Sequence, residues 1–166
     1  FVETIKSEEK SKRNDFVQDI YYDLVTFIGG LESLERKPYE DVIIAGSAVL
    51  DKSLSNYAMQ NDLSGFEFLS CIPGTVGGGI KMNAGCFGKE FKDILMSVQA
   101  IDSHGNVKTI PSKEIKFDYR SNDLSEDLIF LSASFKGIKS TFNKVNSEII
   151  KMKSLKEKNQ PIRIKT

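Results

Sequence analysis

The chain has 166 residues, of which 40% are hydrophobic and 28% are charged, as in a globular domain of ordinary size. Basic and acidic side chains number 23 each, so no excess of positive charge predicts a nucleic-acid partner. Apolar runs are all shorter than the roughly 18 residues of a membrane span, so we expect no membrane partner either. The chain begins without methionine and without a signal-peptide pattern, which suggests a fragment.

The first forty residues contain one predicted helix and one polar segment. Residues 1–14 are dominated by charged side chains and indicate a solvated end. Apolar residues at helical spacing predict an amphipathic helix over Val17–Ile28, which ends at Gly29-Gly30. The segment 31–40 is polar, contains Pro38 and indicates a linker.

The rest of the chain mixes strand and helix patterns. Val42–Ala45 predicts a short buried strand. The helix predicted after it has one apolar face, made of Leu50, Leu54, Tyr57 and Ala58. Strands at 94–101 and 107–110 are predicted to form a hairpin around the turn Asp102–Asn106. The later predicted elements are a helical turn from Pro111, a strand over 128–135, and a final helix that buries Phe142, Val145, Ile149 and Met152. Such a mixture without strict βαβ alternation predicts the α+β class.

The two cysteines and the single histidine predict no metal site. Cys71 and Cys86 form no C-x-x-C motif, and His104 cannot complete a zinc set with them. His104 also lies in the predicted turn, so we expect an exposed turn residue. The cysteine content favours two reduced thiols in a cytoplasmic protein, with a disulfide across the intervening segment as the alternative.

The segment Cys71–Gly88 carries six glycines in eighteen residues. Glycine loses more backbone entropy on folding than other residues, so this density requires a close approach or a positive φ. One hypothesis is a loop whose bare N–H groups open a helix and cradle a nucleotide pyrophosphate. The spacing matches neither the Walker A motif nor G-x-G-x-x-G. The other hypothesis is a tight structural turn in a packed sheet protein.

A series of motifs resembles one enzyme family in order along the chain. The motifs are Gly65–Leu69, Ile72–Gly78, Met82–Gly85 with Gly88, Glu114 with Phe117 and Tyr119-Arg120-Ser121, and Gln160-Pro161. Together they resemble the UDP-N-acetylenolpyruvoylglucosamine reductase family over about residues 41–166. The resemblance implies the second subdomain of a vanillyl-alcohol-oxidase/PCMH-type FAD-binding domain, incomplete at both ends. It further implies three parts: a poorly matched segment 1–40, the FAD-binding subdomain 41–139, and the lead-in 140–166 to a substrate-binding domain.

The family resemblance also implies a cofactor, a substrate and partners. FAD would accept a hydride from NADPH and pass it to the enolpyruvyl group of UDP-N-acetylglucosamine enolpyruvate. The product would be UDP-N-acetylmuramate for peptidoglycan, made in the cytoplasm. The remaining domains of the same enzyme would be the macromolecular partners.

Individual site residues follow from the same motifs. The implied FAD contacts are Ile72, Pro73, Gly74, Thr75, Val76, Gly77, Gly78, Asn83 and Gly85. Asn83 has the alternative of a turn residue that uses its side chain locally. Arg120 matches the catalytic arginine, and Tyr119 matches a residue near the substrate. Without the resemblance, both would be read as ordinary surface or strand residues.

Several positions depart from the family pattern. Phe87 stands where the family has tyrosine, and Cys71 stands where it has a small residue. The catalytic serine and glutamate of the family should lie beyond Thr166, and residues 1–40 lack the first flavin subdomain's motifs. We therefore expect the chain alone to bind FAD poorly and to show no turnover. The alternatives are a degenerate non-catalytic remnant and another flavin oxidoreductase with the same subdomain.

Overall fold

The computed structural model of the protein describes residues 30–37 and 40–159. The helix predicted over Val17–Ile28 and the motif Gln160-Pro161 lie outside the described residues. Residues from Leu31 onward belong to one compact unit, and the elements below belong to it.

Eleven strands and three helices lie wholly within the described residues, with short 3-10 turns between them. The strands in chain order are β1 (Leu34–Arg36), β2 (Val42–Gly46), β3 (Leu63–Ser64), β4 (Gly85–Cys86), β5 (Lys89–Glu90), β6 (Leu95–Ile101), β7 (Val107–Pro111), β8 (Phe117–Asp118), β9 (Ser121–Asn122), β10 (Ile129–Lys136) and β11 (Ile138–Lys139). The helices are α1 (Asp51–Gln60), α2 (Val76–Lys81) and the longer α3 (Phe142–Asn159). Helix α1 precedes the glycine-rich segment Cys71–Gly88, and α2 lies within it. The 3-10 turns are Glu67–Cys71, Phe91–Asp93 and Ser112–Glu114.

Five of the strands form one antiparallel sheet in the order β1-β2-β10-β6-β7. Its register places Ile43 opposite Phe135, and Ala45 opposite Ala133. Because residues paired across strands share a face, these side chains form one apolar surface. That surface packs into a single core with Leu54 of α1. The sheet therefore supports helix α1 and, through the same core, helix α2 within the glycine-rich segment.

Four phenylalanines with almost no exposure fill the centre of the core: Phe66, Phe68, Phe91 and Phe135. The ring of Phe91 makes edge-to-face contacts with Phe68 and Phe135, at centroid distances of 6.3 and 5.9 Å. Such aromatic pairs stabilise the fold beyond the area they bury. The position of Phe91 is therefore fixed from two sides.

Most of the predicted elements are confirmed. The α+β class is confirmed, and so is the hairpin around Asp102–Asn106, whose strands β6 and β7 end within one residue of the predicted bounds. Asp102 accepts hydrogen bonds from the backbone N–H groups of His104 and Asn106, and Gly105 has φ of 82°. These contacts explain why the turn could be predicted from local sequence.

Three expectations are wrong. The segment 31–40, predicted as a linker, contains strand β1, in which Leu34 pairs with Ala45. A charged edge strand of three residues is too short to show an alternating pattern. Leu50, predicted on the buried helix face, precedes α1 and is 56% exposed. Phe142, predicted as buried, is the first residue of α3 and is 45% exposed.

Candidate functional site

The glycine-rich loop runs antiparallel to the segment that joins β2 to α1. The N–H of Val76 donates to the carbonyl of Val49 at 2.9 Å, and the N–H of Gly77 donates to that of Ser47 at 2.8 Å. The N–H of Asp51 donates to the carbonyl of Gly74 at 3.1 Å. One of the two hypotheses from the sequence was that bare N–H groups open a helix here, which is α2. For Val76 and Gly77 that prediction is wrong, because both amides are already hydrogen-bonded inside the protein.

Three glycines of this region permit close packing of the chain against itself. A Cβ on Gly77 would lie 3.1 Å from the Cβ of Ser47, and one on Gly79 would lie in steric overlap with the ring of Phe91. A Cβ on Gly85 would lie 2.5 Å from the carbonyl oxygen of Lys89. The hypothesis of a tight structural turn therefore explains these three positions.

A cavity of about 540 Å³ lies beside the same loop, and we call it the glycine-loop cavity. Its volume is in the range of about 300–1,000 Å³ that is typical of small-molecule sites. Six of the nine predicted cofactor contacts line it: Ile72, Pro73, Gly74, Thr75, Gly78 and Gly85. A Cβ on Gly78 would meet only the hydroxyl of Thr75, at 3.8 Å, so this glycine leaves the cavity wall bare. Val76 is fully buried in the core, on a different side of the loop.

A second cavity of about 590 Å³, the hairpin cavity, lies between the hairpins β4–β5 and β8–β9. Asn83, Phe87, Tyr119 and Arg120 are among the residues that line it. Arg120 and the strand Gly85–Cys86 line both cavities. The arginine predicted to be catalytic therefore stands where the two cavities meet.

Arg120 lies in the two-residue turn of the hairpin β8–β9. Its φ is 58°, a left-handed conformation that is uncommon for a residue with a side chain and recurs at functional sites. Its guanidinium carbon lies 5.8 Å from the centre of the exposed Tyr119 ring. The side-chain NH₂ of Asn122 donates to the carbonyls of Ile80 and Lys81, at 2.9 and 3.0 Å. Asn122, which the sequence did not single out, thereby fastens the hairpin to the end of helix α2.

Asn83 is buried and uses its carboxamide within the protein. Its NH₂ group donates to a carboxylate oxygen of Glu90 at 3.1 Å and to the carbonyl of Asp118 at 3.3 Å. Its oxygen accepts a hydrogen bond from the N–H of Lys92. These contacts are not those of a turn residue that acts locally, because their partners lie 7, 9 and 35 positions away along the chain, and the contact of Asn83 with FAD stays a prediction. They also join the two hairpins that enclose the hairpin cavity.

Asp51 is a site residue to which the sequence assigned no role. It begins helix α1, lines the glycine-loop cavity and has no solvent-exposed surface. Neither carboxylate oxygen has a hydrogen-bond partner among the described residues. Burial alone raises the pKa of Asp51 from 3.8 to about 7. An aspartate in the first turn of a helix is usually a surface residue that complements the helix dipole, so no local signal revealed this one.

The buried Asp51 gives a prediction for stability against pH. Between pH 3.8 and about 7 the unfolded chain loses the Asp51 proton while the folded chain retains it, so the folded state becomes less stable as the pH rises. Each unit of this window corresponds to at most about 1.4 kcal/mol. We expect Asp51→Asn to be more stable than the unmodified chain at pH 8 and to lose this advantage toward pH 4, in urea unfolding.

The matched control is Glu148→Gln, because Glu148 is a half-exposed carboxylate of helix α3 that forms a surface ion pair with Lys151 at 3.6 Å. Its unfolding free energy should follow that of the unmodified chain at every pH. Parallel pH curves for Asp51→Asn and the unmodified chain would contradict the raised pKa of Asp51.

The glycine-loop cavity also contains a lysine and the two thiols. The ammonium of Lys156 donates to the carbonyl of Cys71 at 2.6 Å. Cys71 and Cys86 are free cysteines, and burial is the main cause that raises the pKa of Cys86. Within the described residues, no cluster of three or more His, Cys, Asp or Glu side chains could hold a metal ion. In that same part of the chain, no helix combines the length and the apolar character that crossing a membrane requires.

Comparisons with known proteins found a matching family and similar enzymes. Residues 24–111, more than half of the chain, match the model of a family described as FAD binding domain. The UDP-N-acetylenolpyruvoylglucosamine reductase of Pelagibacter ubique is 63% identical over 126 residues, which are 76% of this chain and 42% of that protein. The enzyme of the same name from Rickettsia bellii strain RML369-C is 45% identical over 124 residues, which are 75% of this chain and 41% of that protein.

A solved structure shows the same relationship. The crystal structure of UDP-N-acetylenolpyruvylglucosamine reductase from Thermus caldophilus superposes with a TM-score of 0.66 at 29% identity. The superposition covers 72% of this chain and 44% of that structure. The chain thus spans about two fifths of the length of the curated relatives it matches. The resemblance read from the motifs is confirmed.

Proposed function

The chain belongs to the FAD binding domain family, and on this premise we propose that it supplies part of the FAD site of a UDP-N-acetylenolpyruvoylglucosamine reductase. The observation that carries the proposal is the position of Arg120, which lines both the glycine-loop cavity and the hairpin cavity. A cofactor in the first cavity and a substrate in the second would both lie beside this guanidinium. The bare wall at Gly78 and the unpartnered carboxyl of Asp51 fit a polar cofactor in the first cavity.

The proposed reaction is the reduction of UDP-N-acetylglucosamine enolpyruvate to UDP-N-acetylmuramate for peptidoglycan, in the cytoplasm. When bound, FAD would supply the hydride-transfer chemistry between NADPH and the enolpyruvyl group. The protein supplies the binding and the electrostatics. Residues Ile72–Thr75 and Gly78 would hold the cofactor along the loop, where glycine permits close approach of the main chain.

Arg120 would act on the substrate. Its guanidinium is permanently charged and presents five donors in a fixed plane, which suits a carboxylate and an oxygen that gains negative charge. The hydrogen bonds of Asn122 to helix α2 hold the hairpin in place and so limit the positions open to Arg120. Tyr119, 79% exposed in the same turn, would contact the substrate at the hairpin cavity.

A second candidate is a non-catalytic remnant of the same enzyme. Phe87 favours it, because this residue lines the hairpin cavity at the place where the family pattern has tyrosine. Phe87 has φ of 54° in the two-residue turn of the hairpin β4–β5, a conformation that a side chain makes unfavourable. A hydroxyl that contacts substrate from this position is absent in this chain.

A segment exchange tests the proposed function. The 126 residues of this chain that align with the Pelagibacter ubique reductase would replace the corresponding residues of that enzyme. We expect the exchanged reductase to be purified with bound flavin and to oxidise NADPH only when the UDP-enolpyruvyl sugar is present. The unmodified Pelagibacter enzyme is the positive control.

Two other outcomes are informative. Flavin binding without sugar-dependent oxidation of NADPH would favour the non-catalytic remnant. An exchanged protein that folds but binds no flavin would contradict the proposed function.

A further inference from the structure

We propose that Asp51 is a hydrogen-bonding anchor for FAD, and that its carboxyl group receives a neutral O–H or N–H donor of the cofactor. The inference rests on the proposed function, because it requires FAD in the glycine-loop cavity. Neither the motifs of the sequence nor the relatives assign a role to this residue. The donors that fit are the hydroxyls of the ribityl chain and the ribose, the ring N–H of the flavin and the amino group of the adenine.

The carboxyl of Asp51 lies under the glycine-rich loop. The backbone N–H of Asp51 donates to the carbonyl of Gly74, and Leu50 forms an isolated bridge with Thr75. A Cβ on Gly74 would lie 3.2 Å from the Oδ2 atom of Asp51. The carboxyl therefore lies directly against the loop that forms the cavity wall, and Asp51 lines that cavity.

The described residues supply no hydrogen-bond donor to this carboxyl. Both carboxylate oxygens of Asp51 are buried, and neither accepts a hydrogen bond from any residue that the structure describes. The hydroxyl of Ser55, one helical turn further along α1, is in the same condition. Buried polar side chains in native proteins are nearly always hydrogen-bonded, and an unpaired buried carboxyl is strongly unfavourable. A donor supplied by a molecule in the adjoining cavity would remove this penalty.

The charged groups around the glycine-loop cavity indicate whether the donor to Asp51 is neutral or charged. The groups that face the cavity from the other elements are Lys156, Arg120, Cys71 and Cys86. Lys156 donates to the carbonyl of Cys71, and no ion pair joins Asp51 to either cation within residues 30–37 and 40–159. An ionised carboxylate would repel a phosphate placed beside it. The carboxyl is therefore suited to the neutral, donor-bearing parts of FAD, whereas Lys156 suits its anionic part.

The test measures FAD affinity and apo stability in the same variants. The host is the full-length exchanged reductase, stripped of flavin and titrated with FAD by flavin fluorescence. We expect Asp51→Leu to raise the Kd for FAD about 10- to 100-fold, because a hydrogen bond to a buried ionisable group is lost. The same variant should have a higher midpoint of thermal unfolding without FAD, because the unpaired carboxyl is removed. Asp51→Asn retains an acceptor oxygen, so its Kd should rise less.

Opposite changes in affinity and apo stability separate an anchor from a structural residue. Loss of stability without FAD, with an unchanged Kd, would overturn the inference while the proposed function stands. Failure of the unmodified exchanged reductase to bind FAD would instead contradict the proposed function. Glu148→Gln is the matched control and should change neither quantity. If Asp51→Leu does not fold, Asp51→Asn decides. The inference would be overturned if Asp51→Asn and the parent protein had the same Kd for FAD and that Kd did not change between pH 5 and pH 8.

Two partial ligands locate the donor within FAD. Riboflavin contains the flavin ring and the ribityl chain, and ADP contains the ribose and the adenine. A loss of affinity in Asp51→Leu for riboflavin alone would place the donor in the flavin half. A loss for ADP alone would place it in the adenine half, and no loss for either ligand or for FAD would overturn the inference.

Discussion

Replacing Arg120 with alanine should lower sugar-dependent NADPH oxidation by about 100- to 1,000-fold in the exchanged reductase, because removal of one preorganised donor to a developing oxyanion has effects of this size. The flavin should stay bound, since Arg120 stands at the edge of the glycine-loop cavity and is exposed. Stopped-flow measurements would follow flavin reduction by NADPH and flavin reoxidation by the sugar separately. We expect the reoxidation step to be the one that slows.

Arg120→Lys retains the positive charge but not the planar set of five donors, so it should recover only part of the lost rate. Lys136→Ala removes an exposed cation at the end of β10 and serves as the control. Turnover equal to that of the parent protein in Arg120→Ala would remove the arginine from the mechanism. Equal losses in Arg120→Ala and Lys136→Ala would indicate a general effect of surface charge.

Alanine at two neighbouring glycines should have opposite effects on stability. Both Gly78 and Gly79 lie in helix α2 without positive φ, so the backbone accepts alanine at either position. The Cβ at Gly79 would overlap the ring of Phe91, which the aromatic core holds in place, and we expect a loss of about 2–3 kcal/mol or more. Gly78→Ala should be neutral or stabilising by roughly 0.5 kcal/mol, since alanine favours helix.

Urea unfolding of the two variants side by side measures the difference, with the same solvent and without FAD. Gly78→Ala should instead weaken FAD binding, because its methyl group would enter the glycine-loop cavity. Similar stabilities for the two variants would show that Phe91 can move away from helix α2. Unchanged FAD affinity in Gly78→Ala would argue against a cofactor beside this glycine.

Local sequence predicted those parts of the fold that depend on local contacts. The turn at Asp102–Asn106 is held by its own aspartate, so its residues alone revealed it. The glycine-rich segment was recognisable from composition, and its motif order indicated the family. The motif residues that line the two cavities could therefore be named from the sequence, and their contacts with FAD and substrate stay a prediction.

The residues that the sequence missed depend on distant parts of the chain. Asp51 is unusual only because the glycine-rich loop lies against it at Gly74, and its own neighbours resemble an ordinary helix start. Lys156 reaches the cavity across 85 positions of sequence to contact Cys71. Strand β1 is visible only through its pairing with β2. Contacts of this kind require the three-dimensional arrangement.

The internal hydrogen bonds of Val76 and Gly77 have a consequence for selectivity. Since these two amides are committed to Ser47 and Val49, they offer no positive field to an approaching anion. At these two residues the glycine-rich loop then selects molecules by steric fit and not by charge. Ionic strength would accordingly have little influence on what rests against this stretch of main chain, and the cationic side chains at the cavity rim would account for whatever salt dependence is measured.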